Sequence, residues 1–165
     1  MPQVPRSRNY RLKHVPHEYR IRQARARDLG RILQIENASF GSEAYDRRLF
    51  AYYQRNCADL FLVAECGLRI CAYLLCCLRG RSAELVSVAV DPRYRAKGAG
   101  SALLRGVLRR LRLRGAHRLH LMVHVDNAPA LAFYTKYGFR RRRLVPKYYE
   151  DGGDAIAMTR TVTLL

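Results

Sequence analysis

Arg95-Ala96-Lys97-Gly98-Ala99-Gly100-Ser101 lies between a segment that reads as a strand and one that reads as a helix, and this stretch decides the fold. Upstream, residues 84–90 (Glu-Leu-Val-Ser-Val-Ala-Val) have the composition of a strand and end at the breaker pair Asp91-Pro92. Downstream, Leu103, Leu104, Val107, Leu108 and Leu111 fall on one helical face, Arg105, Arg109 and Arg112 point elsewhere, and Gly115 stops the pattern. A helix start carries unpaired N–H groups and partial positive charge, so a strand–loop–helix of this kind suits a phosphate. Gly98 and Gly100 would let the backbone approach an oxyanion with no Cβ in the way, and Arg95 and Lys97 add cations. Neither GxxxxGK[ST] nor GxGxxG occurs here, which argues against a nucleoside-triphosphate loop or a dinucleotide fingerprint. A glycine pair alone is equally compatible with a structural tight turn.

Outward from this loop the chain reads as an α+β protein. Tyr19-Arg20-Ile21-Arg22 opens an alternating strand over residues 19–24, and Asp28 can cap a helix carrying Leu29, Ile32, Leu33 and Glu36. Gly41-Ser42 breaks it before a second helix over about residues 43–55. Residues 60–65 and 70–78, separated by Gly67, form a strand pair, and Gly80-Arg81-Ser82 turns into residues 84–90 as the third strand of a meander. Leu119, Leu121, Val123 and Val125 alternate as a strand, and Asn127-Ala128-Pro129 opens a short helix to Tyr137, stopped by Gly138. Final strands over about residues 139–145 and 155–162 flank a loop at Glu150-Asp151-Gly152-Gly153. No internal repeat or second domain is visible. Residues 1–18, with Arg6, Arg8, Arg11, Lys13 and three prolines, read as a flexible basic tail, leaving residues 19–165 as the domain.

The length of 165 residues and 49% hydrophobic content fit one domain with a real core. The longest apolar run, residues 70–78, is too short to span a membrane, and the basic N-terminus has no apolar segment of the secretory type behind it. The expectation is a cytoplasmic protein that does not engage membranes. The formal charge is +18, with 31 Lys and Arg against 13 Asp and Glu. Such a field draws polyanions in a salt-dependent way, including RNA, ribosomes and cofactor phosphates, although arginines spread along the chain also read as compositional bias. The run Arg140-Arg141-Arg142-Arg143 alternates faces on a strand and reads as a solvated edge, docking to a ribosome or an acidic partner being the other reading. Five cysteines (Cys57, Cys66, Cys71, Cys76, Cys77) lack CxxC spacing and read as small buried apolar residues rather than disulfides or zinc ligands. No metal site is expected.

Taken together, these motifs resemble the GNAT superfamily of N-acetyltransferases. Its pyrophosphate loop, [RQ]xxGx[GA], is similar to Arg95-Ala96-Lys97-Gly98-Ala99-Gly100 on the same strand–loop–helix. A second family feature, an Asn, an alanine-rich turn and FYxxxGF, stands as Asn127 followed by Phe133-Tyr134-Thr135-Lys136-Tyr137-Gly138-Phe139. A third, Pro146-Lys147-Tyr148-Tyr149-Glu150-Asp151-Gly152-Gly153-Asp154-Ala155, looks like the hairpin of protein N-terminal acetyltransferases, including the ribosomal-protein-alanine enzymes and NatA-type catalytic subunits. The resemblance covers about residues 19–162. It implies a mixed, mostly antiparallel sheet, flanked by helices and splayed between the strands at residues 84–90 and 119–125. Acetyl-coenzyme A would be the cosubstrate, its pantetheine arm beside Val88, Ala89 and Val90, its diphosphate on residues Arg95 to Ser101 (Ala96, Lys97, Gly98, Ala99 and Gly100 between them), with Asn127 nearby.

The resemblance also implies the chemistry. A neutral amine attacks a thioester, a reaction that needs no metal, and an α-amino group with a reference pKa near 8 is far more neutral at cellular pH than a lysine near 10.4. A protein or peptide N-terminus is therefore the expected substrate. Glu84 is the expected base, acting through water, or else a surface glutamate beside Arg81. Many relatives carry Glu or His where this chain has Met122, which takes no proton; His120 and His124 share its strand face by alternation and are alternatives, or are plain half-exposed histidines. Tyr134 is the expected acid toward the departing thiolate. Phe40, Gly41 and Tyr45 between the first helices, with Tyr148 and Tyr149 in the hairpin, would shape the acceptor site. Competing readings are acetylation of lysine or a small amine, and an inactive fold binding RNA or ribosomes.

Overall fold

The computed structural model describes residues 18–163, so the basic tail lies outside the described residues except for Glu18. The elements follow the order β1 (Arg20–Gln23), α1 (Leu29–Phe40), α2 (Arg47–Asn56), β2 (Phe61–Cys66), β3 (Arg69–Arg79), β4 (Ser82–Val90), α3 (Ala99–Leu113), β5 (Arg118–His124), α4 (Ala128–Lys136), β6 (Arg140–Val145) and β7 (Ala155–Thr161). The strands form one sheet in the order β1-β2-β3-β4-β5-β7-β6. Every pairing is antiparallel except β4 with β5, where α3 supplies the crossover that a parallel pair needs. The architecture is the mixed, mostly antiparallel one expected, and β6, the arginine strand, is an edge.

The core has two parts, one on each face of the sheet. The apolar stripe of α3 (Leu103, Leu104, Val107, Leu108, Leu111) buries against Leu62, Leu74, Leu85, Leu119 and Leu121, and α4 adds Leu131 and Tyr134. On the opposite face Ile32 and Ile35 of α1 and Phe50 of α2 meet Phe61, Tyr73 and Leu75. Each such aliphatic or aromatic side chain stabilises the fold by roughly 1.5–3 kcal/mol relative to exposure. The second helix starts later than the sequence reading has it. Residues 41–43 form a 3-10 turn, and Asp46 then caps α2 by accepting the Leu49 N–H at 2.9 Å.

Two irregularities shape β4. Leu75 pairs with Ser87 and Cys76 with Leu85, which leaves Val86 as a bulge residue. The bulge shifts the alternation, so Val86 and Ser87 both serve the α1–α2 side, while Leu85, Val88 and Val90 pack with the α3 side. Pairing with β5 is recorded only at Ser82, Ala83 and Glu84, against Arg118, Leu119 and His120, although the two strands run on to Val90 and His124. Past Glu84 the sheet is split.

The cysteine reading needs correction. Cys71 and Cys76 are buried thiols as expected, and Cys66 is half-buried, but Cys57 and Cys77 form a disulfide with Cα atoms 5.3 Å apart. Spacing rules weigh cysteines close in sequence; this pair is 20 residues apart and is brought together by the end of α2 packing against β3.

Candidate active site

The glycine loop is anchored before it begins. Asp91 is buried and accepts from the Arg93 backbone N–H at 2.9 Å, from the Arg93 guanidinium at 3.0 Å, and from Arg31 of α1. The Arg93 contacts, opposed by burial and reinforced by Arg31, hold its carboxyl well below the usual carboxylate range. The chain then turns through positive φ at Ala96 (58°) and Gly98 (93°) into α3. Only glycine takes the second of these without strain. The first helical bond runs from Ala102 N–H to the Gly98 carbonyl at 3.0 Å, so the N–H groups of Ala99, Gly100 and Ser101 have no acceptor within the helix. They are the donors an oxyanion requires.

The two cations of the loop are partly occupied. Arg95 donates to the Val90 carbonyl and to Ser39 Oγ, both at 3.2 Å, and Lys97 Nζ donates to the Arg93 carbonyl at 3.1 Å. They brace the loop as well as charging it. Gly100 turns a Cα hydrogen toward the core. A Cβ there would point inward, 3.6 Å from the Phe133 ring and 3.8 Å from Val90, at ordinary contact distances.

Above the loop lies the split between β4 and β5. Val88, Ala89 and Val90 border it on β4, past the last β5 pairing. On the α3 side Tyr134 is buried, in edge contact with Phe133 and Phe139 at 5.4 Å each, and its hydroxyl has no hydrogen bond among the described residues. Burial, and then the nearby Tyr149, raise its pKa above the phenol range. Asn127 caps α4, accepting the Ala130 N–H at 3.2 Å through Oδ1 and leaving its amide N–H₂ for another acceptor.

Across the sheet, on the α1–α2 side, residues expected to shape an acceptor site come from three segments. Tyr53 of α2 and Tyr148 of the hairpin both act electrostatically on Tyr45 between the helices, Tyr148 also acts on Tyr53, and Glu84 acts on both Tyr45 and Tyr53. Burial is the main cause of the raised Tyr45 and Tyr53 pKa values. Tyr149 is pushed up to about 12 by burial, then by Tyr148, Tyr45 and Asp151. Phe40 is partly exposed at the end of α1, with Gly41 at φ 54° beyond it. The hairpin is tied internally: Lys147 N–H donates to Asp154 at 2.9 Å, Gly153 N–H to Asp151 at 2.7 Å, and Tyr149 N–H to the Gly153 carbonyl at 3.1 Å. The register does place His120, Met122 and His124 on one face. His124 stacks on Tyr149 at 5.1 Å, and its Nδ1 accepts the Asp126 N–H at 3.1 Å, which puts the proton of the neutral ring on Nε2. His120 Nδ1 lies 3.5 Å from Ser82 Oγ.

Sequence reasoning missed a buried polar chain behind this site. Glu36 of α1, 1% exposed, accepts from the Tyr73 hydroxyl and from the Tyr45 N–H at 2.8 Å, and the Tyr73 hydroxyl lies 2.8 Å from Ser87 Oγ beside the bulge. Burial raises the Glu36 pKa against the pull of both hydrogen bonds. The chain ties the Tyr45 segment to β4. A glutamate on the apolar stripe of α1 was the available signal. Among the described residues no group of three or more His, Cys, Asp or Glu could hold a metal ion.

A split sheet, with unpaired helix N–H groups on the α3 side and Glu84 on the α1–α2 side, is an arrangement that suits acyl transfer between two substrates. The acetyltransferase (GNAT) family profile matches residues 26–139, and the chain belongs to that family. An uncharacterized N-acetyltransferase of Methanocaldococcus jannaschii is 34% identical over 84% of this chain and 88% of its own length. An N-alpha-acetyltransferase of Sulfurisphaera tokodaii is 30% identical over 86% and 92%. Among solved structures, Ard1 from Thermoplasma volcanium superposes with a TM-score of 0.84 at 30% identity, covering 88% of this chain and 98% of that one. The ribosomal-protein-S18-alanine N-acetyltransferase from Escherichia coli gives 0.80 at 27% identity, covering 90% and 96%. The protein is an N-acetyltransferase, and its acetyl donor is acetyl-coenzyme A.

Proposed function

We propose that the enzyme acetylates the α-amino group of a protein or peptide N-terminus. The observation that carries this reading is that Tyr45 of the α1–α2 connection, Tyr53 of α2 and Tyr148 of the hairpin lie within electrostatic reach on one side of the sheet, with Glu84 acting on Tyr45 and Tyr53. The names of the Sulfurisphaera tokodaii and Escherichia coli relatives support it. In this reading the N–H groups of Ala99, Gly100 and Ser101, with Arg95, Ala96, Lys97 and Gly98 around them, hold the coenzyme diphosphate. Val88, Ala89 and Val90 offer the split strand edge to the amide-bearing arm, and Asn127 offers its free amide N–H₂.

Acetyl-coenzyme A supplies an acyl group already activated as a thioester. Glu84 takes the proton the amine loses on becoming an amide, through water. Tyr134 gives a proton to the departing sulfur. A phenol near 10 is about 2 kcal/mol too weak to protonate a thiolate near 8.5 outright, and burial widens that gap. Donation therefore accompanies C–S cleavage. Met122 has no part in proton transfer. No helix among the described residues is long and apolar enough to cross a membrane, and an enzyme of this kind works where acetyl-coenzyme A and new N-termini meet, in the cytoplasm.

The test is thiol release from acetyl-coenzyme A with short peptides whose N-termini are free or blocked, some carrying lysine. Activity should require the free terminus. Equal rates with blocked peptides overturn the reading.

A further inference from the structure

The α1–α2 core draws on β2, β3 and β4 and takes no residue of β5, β7 or β6. Beyond the split, therefore, one face of the sheet carries no helix among the described residues. Register identifies what it presents. Glu84 pairs with His120, His120 with Thr159, and Thr159 with Arg140, so these four form one row; Met122, Ala157 and Arg143 form the next. Arg118 shares the face, and Arg142 is held on it by donating to Thr159 Oγ1 at 2.6 Å. Arg118 and all four arginines of β6 are exposed. The sequences of β5, β6 and β7 contain six arginines and no Asp or Glu.

We propose that this strip docks the downstream part of the acceptor polypeptide and selects chains with acidic residues a few positions after the N-terminus. The inference rests on the N-terminal reading above and names its substrate class. Charge runs in one direction along the path. Asp126 after β5 and Glu150, Asp151 and Asp154 of the hairpin, four acids against the one cation Lys147, give the Tyr149 end a net negative charge that attracts an ammonium group, and the arginines lie farther on. An amino end followed by carboxylates matches that order. The strip begins one strand from Glu84 and ends at β6, an edge with free backbone groups that an extended polypeptide can pair. Three strand spacings of about 4.8 Å, at about 3.3 Å per extended residue, bring roughly positions three to six over the arginines. Single-stranded nucleic acid fits less well, because binding it calls for aromatic stacking platforms and β5, β6 and β7 contain no Phe, Tyr or Trp.

The experiment compares peptides identical at the first two positions and bearing Glu, Ser or Lys at positions three to six, using the full chain. Expected is a kcat/KM order of Glu above Ser above Lys, with Glu over Ser on the order of tenfold at low salt, as a few exposed ion pairs give, and shrinking with added salt. The difference should lie in KM, since the strip touches no reacting atom. A double substitution Arg140→Glu/Arg143→Glu should reverse the order, whereas Arg105→Glu/Arg109→Glu on the exposed face of α3 makes the same charge change and should leave it intact; thermal melting verifies both folds. A flat order, or the same loss in both variants, overturns the strip. So does a flat order combined with loss of oligouridylate binding in the β6 variant, which would assign the face to nucleic acid. If no peptide of any charge is acetylated while acetyl-coenzyme A still binds, the N-terminal reading itself fails and the inference falls with it.

Discussion

Tyr134 has a buried ring and a hydroxyl with no hydrogen bond among the described residues, and burial keeps it protonated throughout the physiological range. Tyr134→Phe removes one oxygen and no packing. Its kcat should fall on the order of a hundredfold with coenzyme affinity nearly unchanged, as stopped-flow rates and calorimetry would show; a collapse of affinity would make the residue structural. For Glu84→Gln the pH–rate profile is the readout. Loss should be greatest at low pH, where the amine is least neutral, and an unchanged profile removes Glu84 from the mechanism. The nearness of Tyr148 and Tyr149 to Tyr45 follows the expectation drawn from the ten-residue context around them. Tyr53 and the Glu36–Tyr73–Ser87 chain were not legible in the sequence. Their roles depend on which residues of α1, α2, β3 and β4 face one another, and local periodicity does not encode that.

At the scale of elements, the hairpin is the most exacting segment. A Cβ on Gly153 would lie 2.2 Å from His124 Nε2 and 2.9 Å from Asp151 Oδ1. Gly153→Ala must push the His124 ring off Tyr149, so the peptide KM should rise severalfold while coenzyme affinity holds, measured by initial rates and calorimetry. Strands and helices were readable from alternation and capping residues, with errors where two signals competed. Gly41-Ser42 marked the break after α1, yet Asp46, the actual cap, delayed α2. The place of β7 between β5 and β6 was not readable, since strand order is set by long-range pairing. The Cys57–Cys77 disulfide was missed for the same reason.

For the whole molecule, acid stability follows from two lowered carboxylates. At Asp91 the Arg93 contacts dominate; at Asp28 burial raises the pKa but is outweighed by Arg22 and the Arg25 N–H. A folded pKa below the unfolded value gives stability that is present above the unfolded pKa, about 3.9, and is lost as pH falls through the folded one. Asp91→Asn should therefore unfold at lower urea near neutrality and show a flatter loss of stability below about pH 4 than the parent chain, by urea melts across pH. The split sheet has one further consequence. Gly100 sits with Phe133 and Val90 on the α3 side, while Glu84, opposite in alternation to Leu85, lies on the other and acts electrostatically on Tyr45 and Tyr53. Donor and acceptor would then reach the slot from opposite sides, and neither would have to vacate before the other arrives. Such an arrangement favours a ternary complex with direct handover, seen as intersecting double-reciprocal lines and no acetylated protein surviving a quench.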